Sequence, residues 1–229
     1  MWGTAMWGLG RFVLIVAALA LAGVAAWQYA TRWRPSADRY PVQGVDVSAA
    51  DGLVDWNEVA ASGADFAYAV ATRGASERDP AFEANWQGIE AAGMRRGAVH
   101  VFSFCRAGRD QADAFNTTVP HDPQALPPAI DIAYDPACAA RPPRAALIGE
   151  VTKLAERIEA HMGKPVLLRI ARRVESDYDL GGALPRNLWA IGNFIAPSYS
   201  ARPWRMWRAN DMRRVEGIAG PANWDVARP

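Results

Sequence analysis

Between residues 43 and 171 five short β-rich runs alternate with four helical stretches, and this alternation constrains the fold more than any other feature of the chain. The β-rich runs are "QGVDVSA" (43–49), "DFAYAVATR" (65–73), "RGAVHVFSF" (96–104), "PPAIDIAY" (127–134) and "PVLLRIA" (165–171). Between them lie "DWNEVAASG", "PAFEANWQGIEAAG", "GRDQADAFNTTV" and "PRAALIGEVTKLAERIEAHMG". In the last, Leu147, Val151, Leu154 and Ile158 recur at helical spacing and Gly163 supplies a stop. Strands separated by helices pair in parallel through right-handed crossovers, which curl a sheet toward a barrel. Three more β-like runs follow, "NLWAIGNF", "PWRMWRAN" and "NWDVAR", with no helical pattern between them. The expected fold is α/β, a TIM-like barrel of (β/α)5β3 type, with its site at the C-terminal ends of the strands.

A different solvent is implied for the N-terminus. Residues 12–30, "FVLIVAALALAGVAAWQYA", carry no charge, and about 20 such residues cross a bilayer as a helix. Trp2, Trp7, Trp27 and Trp33 flank the segment, as interfacial rings do on a retained anchor. Val24-Ala25-Ala26 would also serve as a cleavage site, which keeps a secretory signal open. The expected division is a tail (1–11), a transmembrane segment or signal anchor (12–30), a linker (31–40) and a folded domain (41–229). Only Arg11 precedes the segment whereas Arg32, Arg34 and Arg39 follow it, which by the charge rule puts the domain in the cytoplasm. The two cysteines argue for export. A bridge between Cys105 and Cys138 would close a loop worth ~3–4 kcal/mol and fits an oxidising compartment; two separate buried thiols are the alternative. Neither cysteine has a His or Cys at ligand spacing, so no metal is expected. A net charge of +1 without a basic run argues against nucleic acid.

At the expected strand ends stand Asp46, Asp131 and Asp225, with His100 in the third run. Acids converging beside Trp189, Trp204 and Trp207 suit a sugar cleft, since aromatic faces stack on pyranose rings and carboxyls act on the glycosidic bond. Taken singly, each acid also fits a loop cap and each Trp a core filler. His100 either orients a pocket carboxylate or sits satisfied in the core, while His121 and His161 read as surface residues.

The stretch "YPVQGVDVSAADGLVDWNEVAASGADFAYAVATRGASERDPAFEANWQGIEAAGMRRGAVHVFSF" resembles the opening half of glycoside hydrolase family 25, the Chalaropsis-type muramidases. The likeness continues through "CRAGRDQADAF", "LPPAIDIAYDP", "NLWAIGNF", "PWRMW" and "GIAGPANWDVA". It implies a cofactor-free, metal-free, monomeric barrel that cleaves the β-1,4 bond between N-acetylmuramic acid and N-acetylglucosamine in peptidoglycan. The family's acids carry over onto Asp46, Asp131 and Asp225 as catalytic positions, with Tyr68, Arg73, His100, Trp189 and Trp207 as substrate contacts. Its remaining acid, the Glu of an Asp-x-Glu strand, falls on Ala133. Further departures are Ala49 and Ala50 after "DVS", Val70 and Arg73 in the second strand, Leu168 where a Tyr is usual, and Arg208 where a Gln is usual. An Arg73 near Asp131 would favour the ionised acid, the opposite of what a proton donor needs. The resemblance therefore implies an envelope protein, inner-membrane anchored with a periplasmic domain or secreted after cleavage. It acts weakly on peptidoglycan or binds it without cutting; a groove in which Arg73 and Arg208 meet an anionic protein is a third reading.

Overall fold

The computed structural model of the chain describes residues 3–228, with side chains described from residue 10 onward. Trp2 and the ring of Trp7 lie outside the described residues. The chain divides into two compact units, Met1–Trp33 and Arg34–Pro229. The first contains helix α1, Gly3–Arg32, whose portion Gly10–Arg32 has a mean hydropathy of 2.0. At about 1.5 Å per residue this portion is long enough for a hydrocarbon core of about 30 Å. Its apolar side chains Phe12, Leu14, Leu19 and Leu21 are exposed.

The second unit is a closed barrel of eight strands. In chain order they are β1 (Val42–Val47), β2 (Phe66–Arg73), β4 (Arg95–Val101), β5 (Ala129–Ile132), β6 (Leu167–Ile170), β7 (Asn187–Ile191), β8 (Met206–Arg214) and β9 (Pro221–Ala227); the two-residue β3 (Glu77–Arg78) folds back on β2 and stands outside the ring. All neighbours from β1 to β8 run parallel, while β9 is antiparallel to both β8 and β1 and closes the ring between them. The crossovers carry α2 (Trp56–Ala61), α3 (Phe82–Ala91), α4 (Gly108–Thr118), α5 (Arg144–Met162) and the short pair α6 (Arg172–Tyr178) and α7 (Leu180–Ala183). From β7 to β9 the connections hold no helix. The architecture is the expected α/β barrel of five β/α units and three closing strands. β3, α6, α7 and a 3-10 turn at Ala49–Asp51 had no sequence signal strong enough to name them.

Phe66, Tyr68, Val99, Ala129, Leu167, Trp189 and Met206 form one buried cluster. These residues come from six strands, so their mutual contact runs across the barrel interior. Because strand side chains alternate with a period of two, the cluster sets the parity of every strand. The residues two further along, Val70, Val101, Asp131, Arg169, Ile191 and Arg208, point inward one layer nearer the C-terminal mouth. Gly97 lets Tyr68 fill its layer, since a Cβ there would stand 2.3 Å from Tyr68 Cε1. Outside the barrel, Leu147, Val151, Leu154, Ala155, Ile158 and Met162 make the buried stripe of α5, and Gly163 ends that helix in the left-handed conformation at φ 67°.

Candidate active site

The mouth of the barrel opens into a cleft of about 320 Å³ whose lining includes Asp46, Asp131, Ala133, Arg169, Arg208 and Asn223. A larger cavity of about 730 Å³ lies on the flank, between Leu53, Trp56, Gly88 and Ile218. It contains none of the candidate acids Asp46, Asp131 and Asp225.

Asp46 on β1 and Asp131 on β5 face each other across the mouth, and a buried arginine from β6 joins them. Arg169 Nη1 donates to Asp46 Oδ1 at 2.9 Å and its Nη2 to Asp131 Oδ2 at 2.9 Å. From β8, Arg208 grips the same Asp46: Nη2 donates to Oδ1 at 2.6 Å and to Oδ2 at 2.7 Å, and Nε to Oδ2 at 3.1 Å. Asn223 Nδ2 adds a longer contact to Asp46 Oδ1 at 3.3 Å. Burial would push the Asp46 carboxyl upward, but the Arg169 and Arg208 guanidiniums outweigh it and hold the acid well below the usual carboxylate range. For Arg169, burial opposes the charge and the carboxylates of Asp131 and Asp46 more than restore it. The Arg169 guanidinium also lies over the Trp189 ring, 4.6 Å from its centroid.

Asp225 is on β9, fully buried and outside the cleft lining. Its Oδ1 accepts from Trp189 Nε1 at 2.9 Å, and Oδ2 is a buried oxygen without a hydrogen-bond partner. Burial, then the nearby Asp46 charge, raise its pKa well above its ordinary value.

Several sequence expectations need correction. His100 faces the helix layer: Nε2 donates to Gln111 Oε1 at 3.1 Å and Nδ1 accepts from Thr72 Oγ1 at 2.8 Å, because Gln111 Nε2 is already committed to the carbonyls of Ser103 and Arg106. Burial first lowers its pKa, to about 4; of its two sequence readings, the satisfied core residue is the one found. Trp207 also points outward, packing on Tyr40 and Trp204 and donating to Gly192 O at 2.6 Å. Tyr68 and Trp189 face inward but lie beneath the cleft, in contact with each other and sealed from solvent, so neither offers a ring to a sugar. Leu168 is buried on the outer face of β6, and the mouth position of that strand is Arg169. Arg73 does reach the cleft rim, where its charged partner is Glu77 at 3.7 Å, and Asp131 takes Arg169.

Arg169 was the functional residue missed from sequence. The available signal was a lone charge inside the apolar run "PVLLRIA", which a barrel strand tolerates only with a carboxylate opposite. Ala133 follows Ile132, the last residue of β5, and lines the cleft together with Tyr134 and Asp135. Asp135 accepts from Ala137 N at 2.8 Å. The disulfide Cys105–Cys138 ties the segment after β4 to the segment after β5 beside this wall, with Cα atoms 6.0 Å apart. Among the described residues no three His, Cys, Asp or Glu side chains are grouped to hold a metal ion; Asp46 and Asp131 pair with arginines.

A sequence model described as Glycosyl hydrolases family 25 matches residues 45–218, which span all of this machinery except Asn223 and Asp225. The chain belongs to glycosyl hydrolase family 25. A family 25 glycosyl hydrolase from Bacillus anthracis superposes with a TM-score of 0.77 at 32% identity, covering 84% of this chain and 91% of that one. A bacterial lysozyme from Streptomyces coelicolor gives a TM-score of 0.74 at 26% identity, over 81% and 91% of the two chains. Among curated proteins, the uncharacterised YegX of Escherichia coli O157:H7 is 30% identical over 195 residues, or 82% of this chain and 70% of that protein. Within this family 25 barrel, Asp46 and Asp131 at the mouth are thus paired with two arginines, Arg169 and Arg208.

Proposed function

We propose that this barrel recognises peptidoglycan glycan strands and has lost most of the turnover of a muramidase, while the N-terminal helix retains it in the cell envelope. The observation that carries the proposal is Ala133: it lines the cleft two residues beyond Asp131, where the family resemblance expects a glutamic acid. Side chains at this spacing share a face, so an acid at 133 would stand beside Asp131 and protonate the departing sugar oxygen. A methyl group donates no proton. Losing general acid catalysis costs about 10²- to 10⁴-fold in rate. Asp131, the remaining member, is held by Arg169 at 2.9 Å.

The cleft, about 320 Å³, is within the ~300–1,000 Å³ of small-ligand sites. The disulfide supports an exported domain at 41–229, and the apolar helix supports tethering through residues 12–30. A second reading, a weakly active muramidase, is favoured by one observation, the presence of Asp135 in the same cleft. Incubation of the full chain with purified sacculi, followed by a pull-down and a reducing-end assay, separates the two. Retention on sacculi without release is expected. Release that disappears in Asp135→Asn would establish the second reading, and failure to bind would overturn both.

A further inference from the structure

Position 208 faces the same cleft as position 133 but acts on a different carboxylate. Arg208 places its Nη2 between the two oxygens of Asp46 and adds Nε to Oδ2. We propose that Arg208 is a positioning residue that would keep the cleft inactive even with an acid returned to position 133, because its fork on Asp46 cancels the negative charge that would keep a neighbouring acid protonated. A carboxyl returned to position 133 alone would ionise and fail as a donor. This inference rests on the reading of the cleft as a muramidase cleft without its donor.

The charges can be followed around the mouth. Asp46, Asp131 and Arg169 are mutually paired and leave one net negative charge; Arg208 brings that inner group to neutrality. Arg73 from β2 stands at the rim, paired with Glu77 at 3.7 Å. Two further acids line the cleft, but backbone amides hold them: Asp51 accepts from Ser48 N at 2.7 Å and Asp135 from Ala137 N at 2.8 Å. Tyr134, pushed up to about 12 by burial and by its bond to Asp177, stays neutral, and Asp225 is buried outside the cleft lining. A proton donor needs its pKa raised, which negative neighbours do and guanidiniums undo. Arg169 cannot be removed without stranding two carboxylates, since its side chain is 3% exposed and bridges both. Arg208 is 16% exposed and its ion pair is with Asp46. A glutamine there is also the residue that the family resemblance expects.

The test compares the unmodified full chain with A133E, R208Q, A133E/R208Q and A133E/R208K. On sacculi, A133E alone is expected to stay within about threefold of the unmodified protein, and A133E/R208Q to exceed it by about 10²-fold in reducing-end release. A133E/R208K, which keeps the charge without the fork, is expected to remain near A133E. In parallel, NMR titration should find the introduced carboxyl at least about one pH unit higher in A133E/R208Q than in A133E. Full release by A133E alone, equal release by A133E and A133E/R208Q, equal release by the lysine and glutamine doubles, or an unmoved titration would each overturn the proposal. If the muramidase reading is the one that fails, none of the proteins is retained on sacculi, and the titration still decides the role of Arg208.

Discussion

His100 shows how one side chain can carry a measurable signature without touching the cleft. Its Nε2 proton goes to Gln111 and its Nδ1 accepts from Thr72, so the folded site accommodates a neutral ring and excludes a second proton. The unfolded chain binds that proton below the ordinary value of 6.5, whereas the folded chain resists it down to about 4. Between these values the unfolded state holds more protons, so stability rises with pH and is lost as pH falls through the window. The full difference is about 3 kcal/mol. Urea unfolding between pH 6.5 and 4.5 should show this loss in the unmodified protein and a shallower slope in His100→Gln; identical slopes would contradict a buried neutral ring. From sequence alone His100 and Asp131 looked alike, polar residues in apolar runs. Their opposite fates come from strand parity, because one residue of offset exchanges the barrel interior for the helix layer.

At the level of elements, the same parity separates Leu168 from Arg169 on β6 and Trp207 from Arg208 on β8. The family pattern points to Leu168 on β6 and to both Trp207 and Arg208 on β8, yet only Arg169 and Arg208 line the mouth. The helices were more legible: α5 has the expected stripe and the expected glycine stop, because a helix of that length repeats its pattern often enough to be read. The loops at the mouth depend on a cross-link. The disulfide between Cys105 and Cys138 spans 33 residues and joins the ends of β4 and β5, a closure worth about 3–4 kcal/mol. The C105S/C138S double substitution should lower the melting temperature by on the order of 10 °C. Calorimetry showing no change would mean that the bridge adds nothing to the closed barrel.

For the molecule as a whole, the helix Gly10–Arg32 is long and apolar enough to cross a membrane, and it forms a unit separate from the barrel. If α1 is a retained anchor, the full chain should stay with membranes through an alkaline carbonate wash and leave them in detergent, at its full mass. A carbonate-soluble product shortened at its N-terminus would point instead to cleavage near Ala26. The order of the eight barrel strands and of the four helices between the first five, and hence the barrel class, were determined by the sequence itself, since hydrophobic periodicity is local and the chain alternates it consistently there. So was the absence of a carboxyl at residue 133. The charge state of the mouth was decided only by the tertiary structure. Arg169 and Asp46 are 123 residues apart, and Arg208 and Asp46 are 162 apart. Closing the ring brings their side chains within hydrogen-bonding distance, and a Coulomb interaction depends on that distance through space rather than on separation along the chain.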